Sequence, residues 1–283
     1  MSTAIIHNVL HPSDFSEASQ VAFAHALKAA LVARSRLTLL HVAEGEGAEW
    51  SDFPRVRATL ERWGLIPAGS PKSAVPQLGI DVRKVIERDA DPVESVLHYL
   101  DDHAAELIVL ASHHHGWLHK SVSEPVARKS GQMTLFVPAG TRGFVSLEDG
   151  SVSLQNILIP IDAHPRPQAA VTAAARLVNQ LRRESGTFTV LHVGDKKAMP
   201  AVTVPAVPGW QWRKETQPGD ITDGIVEAAR KCHADLIVMG TEGHHGFLDA
   251  LRGSHSERVL RQAPCPLLAI PATSHAAATM AQT

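Results

Sequence analysis

A chain of 283 residues, 44% hydrophobic and 20% charged, has room for two domains of about 100–150 residues with real cores, which excludes wholesale disorder. Its 27 Lys and Arg against 29 Asp and Glu leave a net charge of -2, so no strong field selects nucleic acid or an acidic membrane surface. Cys232 and Cys265 form neither a metal spacing nor a disulfide framework, no apolar run approaches the ~18 residues of a membrane helix, and residues 1–7 lack a basic stretch ahead of an apolar core, so a cytoplasmic protein without a signal peptide is expected.

Residues 8–14 read as a strand that ends at Pro12, and Ser16 then caps a helix with Ala18, Val21, Ala22, Ala24 and Leu27 on its apolar face. Residues 37–42 are a second strand, and 56–63 have the pattern of a short helix within a mixed Trp- and Pro/Gly-containing stretch. Residues 82–87 alternate as an edge or half-buried strand does. Asp91 followed by Pro92 is a cap with Pro at the first helical position, opening a helix through Leu100. Residues 107–110 read as a buried strand, 121–130 as a short helix and 134–138 as a last strand.

The pattern then repeats. Ile157 to Asp162 answers Val9 to Asp14, with Pro160 standing 148 positions after Pro12. Both halves carry Leu-His-Val in the second strand, at residues 40–42 and 191–193. Asp220 answers Asp91, residues 234–238 answer 105–109, and 268–271 answer 135–138. Between the copies lies a stretch of about residues 139–153 with Gly140, Gly143 and Gly150, which reads as a linker; an Ala/Ser/Thr-rich tail from Ala272 reads as frayed. Alternating strand and helix predicts, in each half, a parallel sheet wound by helices on both faces. Ligands of such sheets bind beyond the carboxyl ends of the strands, where strand order reverses, and Pro160, Ile161, Asp162, Val193 and Gly240 all fall at such ends.

One stretch organises the rest. Residues 235–239 are a short apolar strand, Gly240 ends it, and residues 257–262 read as a helix with Ser254 as its N-cap. Glycines between a strand and a helix N-terminus let backbone amides face an anion. Gly243 permits positive φ and close backbone approach, Gly253 clears the space before the helix, and Ser254 adds a hydroxyl. The spacing, Gly, two residues, Gly, nine residues, Gly-Ser, resembles the ATP-binding motif of the universal stress protein family. The flanking Asp-Leu-Ile-Val-Met-Gly (235–240) and Ala-Pro-Cys-Pro-Leu-Leu (263–268) are similar to that family too. The resemblance covers both halves. It implies an α/β fold of two tandem five-stranded parallel-sheet domains, Rossmann-like and of the adenine nucleotide alpha hydrolase-like kind, residues 1–140 and 154–274, whose last strands pair into an intramolecular pseudo-dimer. It also implies that Pro160, Ile161, Asp162 and Val193 lie near adenine, with Asp162 accepting from the exocyclic amine or ribose. Gly240 and Gly243 would border ribose and phosphate, and Gly253, Ser254 and the amide of His255 would cradle phosphates. The expected cofactor is ATP, with or without Mg²⁺; Arg252 is a weaker candidate for phosphate.

The N-terminal half departs from this pattern. Ala111 and His114 replace the first two glycines, and Lys120-Ser121 replaces Gly-Ser, so side chains occupy the phosphate space and this half is expected to have lost its site, although Pro12, Asp14 and Val42 remain. The same loop holds four His within residues 113–119, and the C-terminal loop adds His244, His245 and His255; no carboxylate or Cys stands at a ligand spacing that would fix a metal's geometry, so no metal ligand is assigned. Neither a Gly-x-Ser-x-Gly elbow nor a Walker motif is present, and no catalytic residue is assigned. Three readings follow: a stress-response protein whose bound adenine nucleotide is a signal to an unknown protein partner, a slow ATP hydrolase or phosphotransferase, and a scaffold that binds no nucleotide, with or without metal in its His-rich loop. Nucleic acid and membrane are not expected partners; further homo-oligomerisation stays open.

Overall fold

A computed structural model describes residues 6–43, 45, 47–112, 122–241 and 255–271. The chain order is β1 (Asn8–Pro12), α1 (Glu17–Ala33), β2 (Arg36–Ala43), α2 (Val56–Arg62), α3 (Ala74–Gln77), β3 (Asp81–Arg88), α4 (Pro92–Asp102), β4 (Leu107–Ser112), α5 (Ser123–Ser130) and β5 (Met133–Pro138). It continues with β6 (Asn156–Pro160), α6 (Gln168–Gln180), β7 (Gly186–Val193), β8 (Trp210–Gln217), α7 (Ile221–Lys231), β9 (Leu236–Thr241), α8 (His255–Gln262) and β10 (Leu267–Pro271).

The strands form one sheet in the order β3-β2-β1-β4-β5-β10-β9-β6-β7-β8. All neighbours are parallel except β5 and β10, which meet antiparallel through Leu267 opposite Phe136, Leu268 opposite Leu135 and Ala269 opposite Thr134. The order reads the same from either end when β1–β5 are exchanged for β6–β10, as expected of a pseudo-dimer joined through its last strands. Val137 and Ile270, apolar on what would otherwise be edge strands, are both buried.

Side chains alternate across the sheet. Val9, Leu37, Leu39, Ile157 and Ile159 pack with α1, α2 and α6 on one face. Leu10, Leu40, Leu158 and Leu191 pack with α4, α5, α7 and α8 on the other. The repeat extends to its polar fastenings. Glu106 Oε2 accepts from the amides of His7 (3.0 Å) and Asn8 (2.8 Å), and Asp235 Oδ2 accepts from Gln155 and Asn156 (2.8 Å each), so in each half a carboxylate before the fourth strand pins the start of the first. Asp91 Oδ1 caps α4 through the amides of Val93 and Glu94, and Asp220 Oδ1 caps α7 through those of Thr222 and Asp223. Ser16 Oγ caps α1 by accepting from the Ser19 amide.

Two features differ from the sequence reading. The fifth strand implied for the C-terminal half is β8, which the residue pattern did not locate: only Trp210 of its residues is buried, and apart from Trp212 the rest are polar or charged, as suits an outer edge rather than a core strand. The linker is not a free tether. Residues 144–153 fold back through a Val145–Val152 bridge and dock on α1 and α2 as a strap. The Phe144 and Val145 amides donate to His25 Nε2 at 3.0 and 3.3 Å, while His25 Nδ1–H donates to the Val21 carbonyl at 2.8 Å. The Phe144 ring stands edge-on to the imidazole with centroids 4.6 Å apart. Trp63 Nε1 donates to the Leu147 carbonyl at 3.1 Å. At the far end, Arg183 Nε donates to the Leu154 carbonyl at 3.1 Å, so the strap is tied to both halves. Gly143 turns at φ +65°, and a Cβ there would lie 2.1 Å from His25 Cε1, so the close approach requires glycine.

Candidate functional site

β6 is where the C-terminal half changes direction: β7 and β8 extend the sheet on one side of it, β9 and β10 on the other. At this reversal the strands separate. β6 and β9 pair only through Ile157 opposite Leu236 and Leu158 opposite Ile237, although β6 runs on to Pro160 and β9 to Thr241. On the outer sides the pairing continues to the ends, Pro160 opposite Leu191 and Thr241 opposite Pro271. The carboxyl ends of β6 and β9 therefore splay into a crevice, the usual ligand position in an open parallel sheet.

The expected residues gather along this crevice from three elements. Pro160 closes β6, half-buried. Ile161 is buried; its amide donates to the Leu191 carbonyl at 2.8 Å, and its own carbonyl accepts from His192 Nδ1 at 3.3 Å. Asp162 is exposed, and its Oδ1 accepts from the Ala163 amide at 2.7 Å, leaving Oδ2 directed at no described donor. Val193 ends β7, with its methyl groups so close to α7 that a Cβ at Gly224 would lie 3.0 Å from Val193 Cγ2. Gly240 lies on β9 opposite Ile270; a Cβ there would meet Pro165 Cγ at 3.4 Å, so the turn after β6 roofs the end of β9. His255 is the first residue of α8. Gly243, Gly253, Ser254, Arg252 and the expected Ser254 cap lie outside the described residues, as do both His-rich loops apart from the backbone of His255.

Sequence reasoning missed His192. It is 4% exposed, its Nδ1 bonds the Ile161 carbonyl, and its Nε2 finds no hydrogen-bond partner among the described residues. The signal was the shared Leu-His-Val: His41 makes the same bond in the other half, Nδ1 to the Ser13 carbonyl at 2.7 Å. Each imidazole ties the turn after the first strand to the end of the second, fixing the lip of its crevice.

The N-terminal half has the same splay, with β1 and β4 paired only through Val9 opposite Leu107 and Leu10 opposite Ile108. Its contents differ. His11, fully buried, donates from Nδ1 to the Val109 carbonyl at 2.9 Å and so bridges the gap; burial pushes its pKa below the ordinary imidazole value, keeping it neutral. Ile159 stands at the corresponding position in the C-terminal half. Among the described residues no group of three or more His, Cys, Asp or Glu side chains could hold a metal ion, and no helix is long and apolar enough to cross a membrane.

The family model of the universal stress protein family matches residues 6–138 and 208–271. Universal stress protein A homolog 1 of Coxiella burnetii is 30% identical over 146 residues, covering 41% of this chain and 95% of that protein. A universal stress protein of Mycobacterium tuberculosis is 24% identical over 297 residues, covering 93% of this chain and 96% of its own. Among solved structures, a universal stress protein from Archaeoglobus fulgidus superposes with a TM-score of 0.61 at 18% identity over 95% of this chain and 98% of that one. A functionally unknown protein of Pseudomonas aeruginosa gives a TM-score of 0.60 at 13% identity, covering 99% of both chains.

Proposed function

The chain belongs to the universal stress protein family, and from that premise we propose that it binds one adenine nucleotide, ATP, in the crevice between β6 and β9 and serves as a nucleotide-dependent sensor or regulator. In this reading it is built of two units, residues 1–140 and 154–274, of which the second keeps the nucleotide site. The observation that carries the reading is the splay at the strand reversal with Gly240 at its lip, followed in sequence by Gly243, Gly253 and Ser254 and then by α8. Adenine enters beside Pro160, Ile161 and Val193, where backbone groups and apolar side chains line the crevice. Asp162 accepts from the ribose or the exocyclic amine through its remaining oxygen. The phosphates reach the N-terminus of α8, where first-turn amides and a helix dipole of roughly half an elementary charge favour an anion. In this reading the ligand is a signal rather than the substrate of fast chemistry, since the sequence carries neither a Gly-x-Ser-x-Gly elbow nor a Walker motif.

Equilibrium dialysis of the purified chain against ATP tests this reading. One ATP per chain is expected, with a melting transition raised by about 2.7 kcal/mol of added stability at 100 times the dissociation constant. Two equivalent sites per chain, or none, reject it. Phosphate release with Mg²⁺ separates a bound signal from a slow hydrolase.

A further inference from the structure

We propose that the N-terminal half carries a second, separate small-molecule site, between α1 and α2, that takes a planar aryl carboxylate. A cavity of about 340 Å³ opens there, near the lower end of the roughly 300–1,000 Å³ of small-ligand pockets. Neither Pro12, Asp14 nor Val42, the remnants of the nucleotide pattern in this half, lines it.

Its wall is aromatic. Phe15 sits at φ +61° in the turn after β1, which throws its ring flat on His41, with centroids 4.0 Å apart and planes 19° apart, and edge-on to Phe53 at 5.1 Å. This wall has no counterpart in the other half, where Ala163 follows Asp162. The rim is cationic. Arg55 and Arg62 both line the cavity, and among the described residues neither is in an ion pair. Asp52 also lines the cavity, its Oδ2 accepting from the Glu49 amide at 2.8 Å, so the two guanidiniums leave the lining with a net positive charge. Lys84 adds positive charge behind the wall, its Nζ 5.3 Å from the centre of the Phe53 ring.

These parts specify the ligand's chemistry. A flat ring packs against the half-buried Phe15, which is braced from behind by Phe53, itself 1% exposed and stacked with Trp50 at 5.9 Å. A guanidinium fork holds a carboxylate through two parallel hydrogen bonds. A phosphate dianion suits the site less well, because the donors at the start of α1 are already engaged: the Ser19 amide with Ser16 Oγ, and Ser19 Oγ with Asp14 Oδ1 at 2.5 Å. The strap closes one end of the cavity with Leu147, whose carbonyl is held by Trp63.

The test uses the full-length chain with indole-3-carboxylate as probe and indole as its uncharged control, titrated by ligand-detected NMR and calorimetry. Saturable binding of the carboxylate is expected, with indole about tenfold weaker or more. The double variant Arg55→Ala/Arg62→Ala should weaken the carboxylate about tenfold and leave indole unchanged. Ala58→Trp, at an exposed helix position that lines the cavity, should abolish binding of both while leaving ATP binding intact. The proposal is overturned by no saturable binding up to about 10 mM (an affinity of roughly 2.7 kcal/mol), by equal affinity for indole and its carboxylate, or by binding that survives Ala58→Trp. Should Ala58→Trp not fold, the arginine variant alone decides between site-specific and adventitious binding.

Discussion

The two crevices of this sheet are built alike and filled differently. Both arise because a first strand parts from a fourth after two paired positions, and in both a histidine on the second strand fastens the lip. In the N-terminal half a buried imidazole, His11, spans the gap, and Ala111 stands where β9 has Gly240. In the C-terminal half Ile159 replaces that imidazole, and Gly240, the last but one residue of β9, carries no side chain. The outer layers diverge as well: α2 and the strap cover the first half, whereas the corresponding connection in the second, residues 194–209, holds one short 3₁₀ turn at Lys196–Ala198. The lesson is that backbone topology creates a crevice and side chains decide whether a ligand can enter it.

The most severe way to break the comparison is Gly253→Phe. A ring before the N-terminus of α8 should reduce ATP affinity on the order of a thousandfold, about 4 kcal/mol by calorimetry. If ATP affinity is unchanged, the nucleotide is not held by the C-terminal motif. Gly143→Ala tests the strap instead. Its positive φ and a Cβ 2.1 Å from His25 should cost roughly 3–4 kcal/mol of stability in urea unfolding, while each folded molecule still binds one ATP. A loss of ATP binding in folded protein would show that the strap and the C-terminal crevice are coupled.

Acid probes the same contact without mutation. Burial, opposed only in part by the bond to the Val21 carbonyl, pushes the His25 pKa down to about 4. Protonation would also set an N–H against the two amides that now donate to Nε2. The folded state thus prefers the neutral ring, and the contribution is complete above the unfolded value near 6.5. It fades as pH falls towards 4, a loss of about 3 kcal/mol in all. Burial lowers the His11 pKa as well, so that residue steepens the same slope. Unfolding free energies measured across this window should fall with acid, and His25→Leu should flatten the slope; an unchanged slope would mean that His25 is not the group responsible.

Gly240→Ala is the gentlest test. The added methyl finds Pro165 Cγ at 3.4 Å, an ordinary contact, so stability should change by no more than about 0.5 kcal/mol while ATP affinity drops about tenfold. Lys120→Ala, in the other half, should leave ATP affinity unaltered. Equal losses in the two variants would erase the distinction between the halves.

Local chemistry made most of this fold legible. Ser16, Asp91 and Asp220 announced their helices because each supplies an oxygen to the amides two or three residues on. Runs such as Leu-Ile-Val declared the central strands, since strands covered on both faces have no polar side. The pairing of β5 with β10 was legible through the repeat and the family resemblance. What stayed hidden depends on distant partners. His25 sits on an apolar helix face, and nothing near it reveals two amides 119 and 120 residues away. β8 carries mostly polar and charged side chains and gains its place only by pairing with β7. Of the candidate site, the position of Pro160 to Asp162, Val193 and Gly240 at strand ends was readable because strand ends are, but the splay is a relation between two backbones that no single segment encodes.

The antiparallel junction and the strap also bear on how such a molecule can change. Two separate identical chains meeting through β5 would present the same crevice twice, and every substitution would be expressed at both. Here the two faces of the junction belong to one chain, so the interface forms at an effective concentration fixed by the linker and not by the amount of protein. His11 and Ala111 can then enter one crevice, and Phe15 the cavity beside it, without being copied into the other half. Fusion frees the halves from symmetry: one is at liberty to keep an inherited ligand while its twin drifts towards another.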